Sequence, residues 1–253
     1  MTQHKLSEYV KNGKRLDGRG IDDIRPITIE AGVLERADGS AYLEWGQNKV
    51  LVGVFGPKEA LPKHTQNPYR AKVDYIYRMA TFSVPDRKNP RPARREIEIS
   101  KVSADALEAA IFTERFPNCS IEVSVEILDS NAGTRAAALT AASVALVDAG
   151  IPMRDMVSSC GVGKAGGHIL VDLNKDEEDA PDAVDIPMAI MPKNEEIVLM
   201  QMDGLFTKDE LKKATKKGIE ACKKVWEIQK DALRKRYADA EKEIPAETEK
   251  VIK

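Results

Sequence analysis

The feature that most constrains the fold is a helix, predicted from Thr134 to Ala149, that is apolar on nearly every side. It follows the turn Asp129–Gly133 and ends at Gly150, a residue suited to the position after a helix. A surface helix shows one apolar stripe, whereas a helix that is apolar all round is buried. We therefore expect this helix to be central, with other elements packed around it.

The rest of the chain predicts strands and two further helices. In the clearest strand, Ser120–Ile127, isoleucine and valine alternate with serine and glutamate. Apolar residues spaced three and four apart predict a helix from Arg95 to Phe116, which Pro117 stops. Further strands are predicted at 41–45, 49–55, 73–79, 157–162, 168–173, 186–191 and 197–202, and a closing helix at 208–237.

This order of elements is typical of an α+β fold with a mixed or largely antiparallel sheet. No short tandem repeat or low-complexity linker divides the chain. We expect a single domain over residues 1–253, with a core at about 14–237 and a polar C-terminal tail at 238–253.

Charge is unevenly distributed along the chain. The formal net charge is −2, which argues against a dedicated nucleic-acid binder. The segment from Leu61 to Arg95, however, contains nine Lys or Arg and only two acidic residues. Such a basic segment is suited to binding a polyanion, because phosphates that it neutralises release their counterions. A solvated surface loop is the alternative. The cations are Lys63, Arg70, Lys72, Arg78, Arg87, Lys88, Arg91, Arg94 and Arg95.

The stretch from Asp172 to Asp185 is acidic, with seven carboxylates and one lysine. Such a cluster binds a divalent cation, raises the pKa of one member so that it can donate a proton, or solvates a loop. We favour solvation for most of its members. Asp179 and Asp185 flank Pro181, and Asp185 lies where the loop enters a strand, which suits a metal ligand or a proton donor. A capped strand end is the alternative for this pair.

The turn Asn131–Arg135 is a candidate anion site. Unpaired backbone N–H groups and the positive end of the helix dipole meet at the start of the buried helix. Gly133 allows close approach of the backbone, Thr134 offers a hydroxyl, and Arg135 can bind a phosphate through two N–H donors. The alternative is that Thr134 or Asn131 merely caps the helix.

Several protein classes are disfavoured by what the sequence lacks. It has no GxxxxGK[ST] loop of a P-loop NTPase, and its three cysteines form no CxxC pair. No apolar run approaches the roughly 20 residues that cross a bilayer, and the N-terminus is polar. We expect a cytoplasmic protein that is not bound to a membrane.

Three blocks resemble the RNase PH family, and specifically its archaeal exosome branch. They are RLDGRGIDDIRPI (15–27), NPRPARREIEISKVSADALEAAI (89–111) and NAGTRAAALTAASVALVDAGIPMRDMV (131–157), with a weaker fourth block, EDAPDAVDIPMAIMP (178–192). The bacterial tRNA-trimming members differ in the second block, where this chain has Arg94-Arg95-Glu96-Ile97-Glu98. The resemblance implies a fold of two βαβα-like halves with mixed sheets and central helices.

The resemblance also implies an activity and its residues. Family members use inorganic phosphate to attack the last phosphodiester of single-stranded RNA, degrade it from 3′ to 5′, and release nucleoside diphosphates. Asp179 and Asp185 match the family's paired aspartates, so we assign Asp179 as the general acid and the other to Mg²⁺ or Mn²⁺, although either could take either role. By match to the motifs, Gly133, Thr134 and Arg135 bind phosphate, Arg94 and Arg95 hold the RNA near the scissile bond, and Lys63, His64 and Arg70 lie in an RNA-facing loop.

The expected partners follow from the same resemblance. Exosome members form a hexameric ring of three heterodimers with a related inactive subunit, and RNA-binding cap proteins join that ring. The inactive subunits lack the phosphate-site arginine and the aspartates, which this chain has. Alternatives are a ring subunit that only binds RNA, a tRNA 3′-end trimming RNase PH, or a small-molecule kinase, which would need a glycine-rich nucleotide loop.

Overall fold

A computed structural model describes residues 9–11 and 13–243 of the chain and contains two main sheets. The first has five strands, all antiparallel except for one parallel pair between β6 and β7. Its strands are β3 (Ile27–Ala31), β4 (Gly39–Trp45), β5 (Asn48–Glu59), β6 (Lys72–Met79) and β7 (Cys119–Asp129), in the order β3-β4-β5-β7-β6.

The second sheet has four strands and is antiparallel throughout. A short hairpin, β1 (Val10–Lys11) with β2 (Lys14–Arg15), precedes both sheets. The strands of the second sheet are β8 (Ser158–Ala165), β9 (His168–Val171), β10 (Val184–Met191) and β11 (Glu196–Met200), in the order β11-β10-β8-β9.

The helices pack between the sheets and over their faces. The parallel pair in the first sheet is joined by a helix that packs on β6. The long C-terminal helix packs on β8 and also reaches β3 in the other sheet. The helices are α1 (Arg94–Ala110), α2 (Thr134–Asp148), α3 (Lys175–Glu178) and α4 (Lys208–Glu243), with 3₁₀ turns at Lys63–Thr65 and Thr113–Arg115.

Helix α2 is the central element that the sequence predicted. It contacts β4 and β5 of the first sheet and β8 and β10 of the second, and its residues from Ala136 to Leu146 are all buried. Small side chains let the layers approach closely: a Cβ on Gly39 would lie 2.2 Å from the backbone nitrogen of Ala149. One apolar cluster includes residues of α2 and of both sheets.

The α+β class is confirmed, with a mixed first sheet, and the first half follows the order β6-α1-β7-α2. The second half differs. Its four strands form two antiparallel hairpins, β8-β9 and β10-β11, with α3 between them and α4 after them. Strand β3 and helix α3 were not predicted. The limits of a single domain over residues 1–253 stay a prediction. Among residues 9–11 and 13–243, no helix is long and apolar enough to cross a membrane.

The C-terminal ends of α1 and α4 differ from the predicted ones. Helix α1 ends at Ala110 because Ile111 turns into extended backbone and bridges to Met153, and the next residue donates a hydrogen bond to the Pro152 carbonyl. Tertiary pairing thus ends this helix before Pro117. Helix α4 continues to Glu243, six residues into the predicted tail, and residues 244–253 lie outside the described part.

A buried carboxylate, Asp172, ties the N-terminal segment to both sheets. It follows β9 and accepts hydrogen bonds from the backbone N–H and Nε of Arg25, at 2.7 and 2.9 Å, and from the indole of Trp45 in β4, at 2.9 Å. Arg19 contacts it at 3.3 Å. A second buried pair joins Arg15 to Glu177. Asp172 and Glu177 are therefore exceptions to the solvation that we expected for most of the acidic stretch.

We expect Asp172→Asn to lower the free energy of unfolding by roughly 3–5 kcal/mol, because it leaves the buried Arg25 guanidinium without its counter-charge. Urea unfolding at neutral pH measures this loss. The exposed Asp176 belongs to the same acidic stretch, so Asp176→Asn is the matched control, with an expected change of about 0.5 kcal/mol or less. Equal effects of the two variants would contradict an anchoring role for Asp172.

The contribution of Asp172 should also depend on pH. Burial opposes its ionisation, but hydrogen bonds and charge from Arg25 outweigh burial and hold the pKa of the Asp172 carboxyl below its ordinary 3.8. A lowered pKa stabilises the fold above the ordinary value and loses that effect as the pH falls toward the lowered one. The difference between the parent and Asp172→Asn should therefore shrink in acid below about pH 4.

Candidate active site

The start of α2 has no side-chain cap. Gly133 occupies the N-cap position with φ +68°, and Ala132 before it has φ +55°, so two successive residues adopt the left-handed conformation. The Thr134 hydroxyl accepts a hydrogen bond from the Tyr77 hydroxyl at 2.8 Å, and the Asn131 side chain bonds elsewhere. The alternative in which Thr134 or Asn131 caps the helix is therefore wrong, and backbone amides remain for an anion.

Side chains of the first sheet and the N-terminal segment fix the carbonyls of this turn by hydrogen bonds. Arg25 donates to the carbonyl of Asn131 and, at 3.3 Å, to that of Ala132, while the Asn48 amide donates to Ala132 at 2.6 Å. The C=O and N–H of one peptide point in opposite directions. Fixing the Ala132 carbonyl therefore aims the N–H of Gly133 the other way, toward the side on which the Glu178 carboxylate lies.

A polar cleft of about 490 Å³ lies at this end of α2. It joins the first turns of α1 and α2 to the α3 loop and the start of β10, so residues far apart in sequence meet there. Opposite charges line its walls. The lining residues are Arg95, Glu98, Arg135, Lys175, Glu178, Asp179, Asp185, Pro187, Gln201, Met202 and Asp203.

A second, more apolar cavity of about 380 Å³ adjoins the cleft and shares Arg95, Lys175 and Glu178 with it. Gly133 and Thr134 line this cavity, whereas Arg135 lines the cleft. The three predicted phosphate residues therefore surround one corner rather than a single pocket. The other lining residues are Tyr77, Met79, Val84, Lys88, Ala93, Glu96, Ile99, Ser130 and Ala132.

The two predicted arginines of α1 are placed differently. Arg95 lines both cavities, whereas Arg94, the first residue of the helix, is exposed and lines neither. Arg135 is mostly buried and lies 3.5 Å from the Glu98 carboxylate across the cleft. Arg95 and Arg135 thus supply the positive charge of the cleft together with Lys175, whose ammonium lies 2.5 Å from Asp179.

The two predicted aspartates line the same cleft in different environments. Asp185 is half-buried near the start of β10, and its backbone N–H and C=O both pair with Asp203, at 3.1 and 2.9 Å. Burial, followed by the charge of Glu178, raises the pKa of Asp185 to about 6, against the opposing charges of Arg135 and Arg95. Asp179 is exposed at the end of α3 and pairs with Lys175.

The carboxylates offer limited support for a metal ion. Within the described part of the chain, no group of three or more His, Cys, Asp or Glu is arranged to hold one. Mg²⁺ is commonly bound by one or two carboxylates together with substrate phosphates. Asp179 and Asp185 have the right chemistry for such a partial site, in which the substrate would supply the remaining oxygens.

The predicted RNA-facing loop lies away from the cleft. Lys63 and His64 are exposed in a 3₁₀ turn, and Arg70 is exposed 3.8 Å from Glu108. This loop precedes β6, whereas Met79 at the other end of β6 lines the second cavity. The strand is eight residues long, so at the usual rise it separates the two regions by about 23 Å.

The sequence did not single out several residues that shape the cleft. Lys175 and Glu178 belong to the acidic stretch. Lys175 is the one cation there, and that difference could have marked it as a site residue. Arg25 stood in the first family-like block without an assigned role. No local pattern marked Glu98, Gln201 or Asp203, because tertiary packing alone brings them together; the Gln201 amide donates to Glu98 at 2.5 Å.

Comparison with protein families matches most of the chain. The model described as "3′ exoribonuclease family, domain 1" matches residues 23–152, and "3′ exoribonuclease family, domain 2" matches residues 155–221. The first match contains both helices that open onto the cleft, and the second contains α3 and β10. The matched regions therefore include the cleft-lining residues from Arg95 to Asp203.

Similar proteins include components of archaeal exosomes. The exosome complex component Rrp41 of Thermoplasma volcanium is 59% identical over 233 residues, covering 92% of this chain and 94% of the relative. Rrp41 of Thermococcus kodakarensis is 52% identical over 234 residues, with the same two coverages.

Solved structures share the fold at lower identity. Rice Rrp46 has a TM-score of 0.76 at 22% identity, covering 85% of this chain and 98% of that one. The Archaeoglobus fulgidus exosome with RNA bound to the active site has a TM-score of 0.72 at 24% identity, covering 89% and 93%. Given both domain matches and these relatives, the chain belongs to the 3′ exoribonuclease, or RNase PH, family.

Proposed function

We propose that this protein is a phosphate-dependent 3′-to-5′ exoribonuclease subunit of an archaeal-type exosome. The observation that carries the proposal is the pair of adjoining cavities where the start of α2, the guanidinium groups of Arg95 and Arg135, and the half-buried carboxyl of Asp185 come together. This arrangement provides an anion site, charge for a polynucleotide terminus and a proton donor. Relatives named as exosome components over most of the chain support the same activity.

Inorganic phosphate is the proposed nucleophile. The amides at Gly133 and Thr134 and the guanidinium of Arg135 hold it, since a helix start and a bidentate arginine both favour a small oxyanion. Arg95, between the two cavities, neutralises the scissile phosphodiester as charge develops on its oxygens. Arg94, outside both cavities, would contact RNA beyond the terminal nucleotide.

Asp185 is the proposed proton donor. An oxygen of the attacking phosphate forms a bond to the terminal phosphorus, the bond from phosphorus to the 3′ oxygen breaks, and Asp185 gives that oxygen its proton. The products are a nucleoside diphosphate and an RNA one residue shorter. This assignment reverses our expectation for Asp179, because Asp179 is exposed and paired with Lys175. Mg²⁺ supplies charge neutralisation when bound, and Asp179 is our proposed ligand.

The proposed partners are single-stranded RNA, a related subunit without these cleft residues, and RNA-binding cap proteins. A ring of three heterodimers is the proposed assembly. The purified chain, alone and with its partner subunit, should release nucleoside diphosphates from single-stranded RNA only when phosphate is present. Degradation without phosphate would overturn the mechanism, and RNA binding without degradation would favour a non-catalytic subunit.

Arg135→Glu should lower phosphorolysis at least about 100-fold, because it places a negative charge where the phosphate must bind. Release of nucleoside diphosphates measures the loss, and an unchanged circular dichroism spectrum shows that the domain stays folded. Arg36→Glu is the matched control, since Arg36 is exposed in the loop between β3 and β4 and lines neither cavity. Parent-like activity of Arg135→Glu would remove this residue from the site.

Asp185→Asn should reduce kcat at least about 100-fold, because asparagine cannot give a proton to the 3′ oxygen. A donor must be protonated to act, and the pKa of Asp185 is raised to about 6. For the free enzyme, kcat/KM of the parent should therefore fall as the pH rises through that value, and the residual activity of Asp185→Asn should lack this fall. An unchanged pH profile in the variant would assign the proton to another group.

The RNA-facing loop should affect long substrates more than short ones. Because about 23 Å separates it from the cleft, the double change Lys63→Ala and Arg70→Ala should raise KM for a long RNA several-fold with kcat unchanged. A short oligonucleotide that fills only the cleft should show no change. A weaker dependence of KM on salt in the double variant would confirm lost phosphate contacts. Equal effects on both substrates would contradict this role.

A further inference from the structure

Glu178 places a carboxylate at the proposed phosphate site. It lies at the end of α3, half buried, and lines one cavity with Gly133 and Thr134 at the start of α2. Burial raises the pKa of the Glu178 carboxyl, against the opposing effects of the nearby Gly133 N–H and the charge of Lys175. Glu178 also lines both the cleft and the adjoining cavity. An anionic side chain therefore occupies part of the space in which an anionic substrate has to bind.

Two other carboxylates of the cleft, Glu98 and Asp179, are arranged differently. Glu98 lies 3.5 Å from Arg135 and accepts from Gln201, and Asp179 pairs with Lys175 at 2.5 Å. These contacts balance charge at the cleft walls. Glu178 instead lines the same cavity as Gly133 and Thr134, the residues of the turn that would hold the anion. Its position requires a reason, because a bare anion bound there would lie against a negative oxygen.

A carboxylate beside an oxyanion is favourable when the oxyanion carries a proton. Its oxygen then accepts a hydrogen bond from the hydroxyl of the ligand instead of repelling a lone pair. At neutral pH orthophosphate carries at least one proton, whereas sulfate, of the same shape and similar charge, carries none. Leaving a charged acceptor unpaired against the wrong ligand is a common way to build specificity.

Given the proposed phosphorolysis, we propose that Glu178 makes the anion site selective for a protonated tetrahedral oxyanion, accepting the P–OH hydrogen of phosphate and disfavouring sulfate. The amides at Gly133 and Thr134, with Arg135, attract either anion. Glu178 distinguishes between them. It is thus a specificity residue of the nucleophile site.

A different role would be a simple plug. In that case the carboxylate blocks the amides, and any anion binds only after it moves away. Removing its charge would then strengthen the binding of phosphate and of sulfate by the same factor. The two roles therefore differ in the ratio of affinities and not in the affinity for phosphate alone.

The test compares the parent with Glu178→Gln, which keeps the size of the side chain and an acceptor for Gly133 but adds an N–H donor. Initial rates of RNA phosphorolysis, with the partner subunit present, give KM for phosphate and the inhibition constant of sulfate. We expect sulfate to bind at least about tenfold more weakly than phosphate in the parent, and this ratio to shrink at least about tenfold in the variant.

Two further arms sharpen the comparison. Arsenate, which also carries a proton at neutral pH, should follow phosphate in both proteins. Asp176→Asn removes an exposed carboxylate from the same short helix and should leave the ratio of sulfate to phosphate unchanged. Glu178→Ala should shift the ratio in the same direction as glutamine and serves if Glu178→Gln does not fold.

Calorimetric binding of phosphate and of sulfate, without RNA, separates this proposal from the proposed reaction. If the chain binds phosphate selectively through Glu178 but yields no nucleoside diphosphates, the selectivity proposal stands and the proposed reaction is overturned. A ratio that Glu178→Gln does not change, or a parent that binds sulfate as well as phosphate, overturns the selectivity and leaves phosphorolysis standing. If Glu178→Gln raises the affinities for phosphate and for sulfate by the same factor, Glu178 only blocks the site, and the selectivity proposal is again overturned.

Discussion

The rest of the structure depends on one buried ion pair, between Asp172 and Arg25. Charges taken out of water are tolerated only when they are paired and fully hydrogen-bonded, so their geometry is closely fixed. Asp172 follows a strand of the second sheet, its partner Trp45 belongs to the first, and Arg25 comes from the N-terminal segment. The same guanidinium continues to the carbonyls of the turn before α2. The pair therefore sets the position of the turn before α2 relative to both sheets.

The cleft depends on this fixed geometry because its parts come from different layers. Arg95 and Arg135 lie at the starts of helices packed on the first sheet, whereas Asp185 lies on a strand of the second. Burial favours the protonated form of Asp185, and the two arginines limit that effect. In the mechanism proposed above, the donor Asp185 and the anion site at the start of α2 line adjoining cavities without neutralising each other, as in-line displacement at phosphorus requires.

The sequence predicted the elements with strong local patterns. Alternation predicted β7, and uniform apolarity predicted the central place of α2. The turn before α2 and Gly150 after it predicted its bounds to within one residue. The sequence failed where tertiary pairing decides, since Ile111 bridges to Met153 and ends α1 early. It also missed β3, although Ile27–Ala31 alternates between apolar and polar residues. In the site, Arg135, Asp179 and Asp185 do meet. Arg94 is outside the cavities, and the interior role of Asp172 could not be distinguished from solvation because carboxylates look alike in a sequence.

The alanine-rich composition of α2 also has an evolutionary consequence. Its small residues set the spacing between the two sheets, and at Gly39 there is no room for even a methyl group against Ala149. The first turn of this helix also lines the cleft and the adjoining cavity. Ordinary interior drift, in which one aliphatic residue replaces another, would here shift the arginines against the aspartate. Descendants of this chain should consequently diversify at their outer helices and loops long before they diversify along α2.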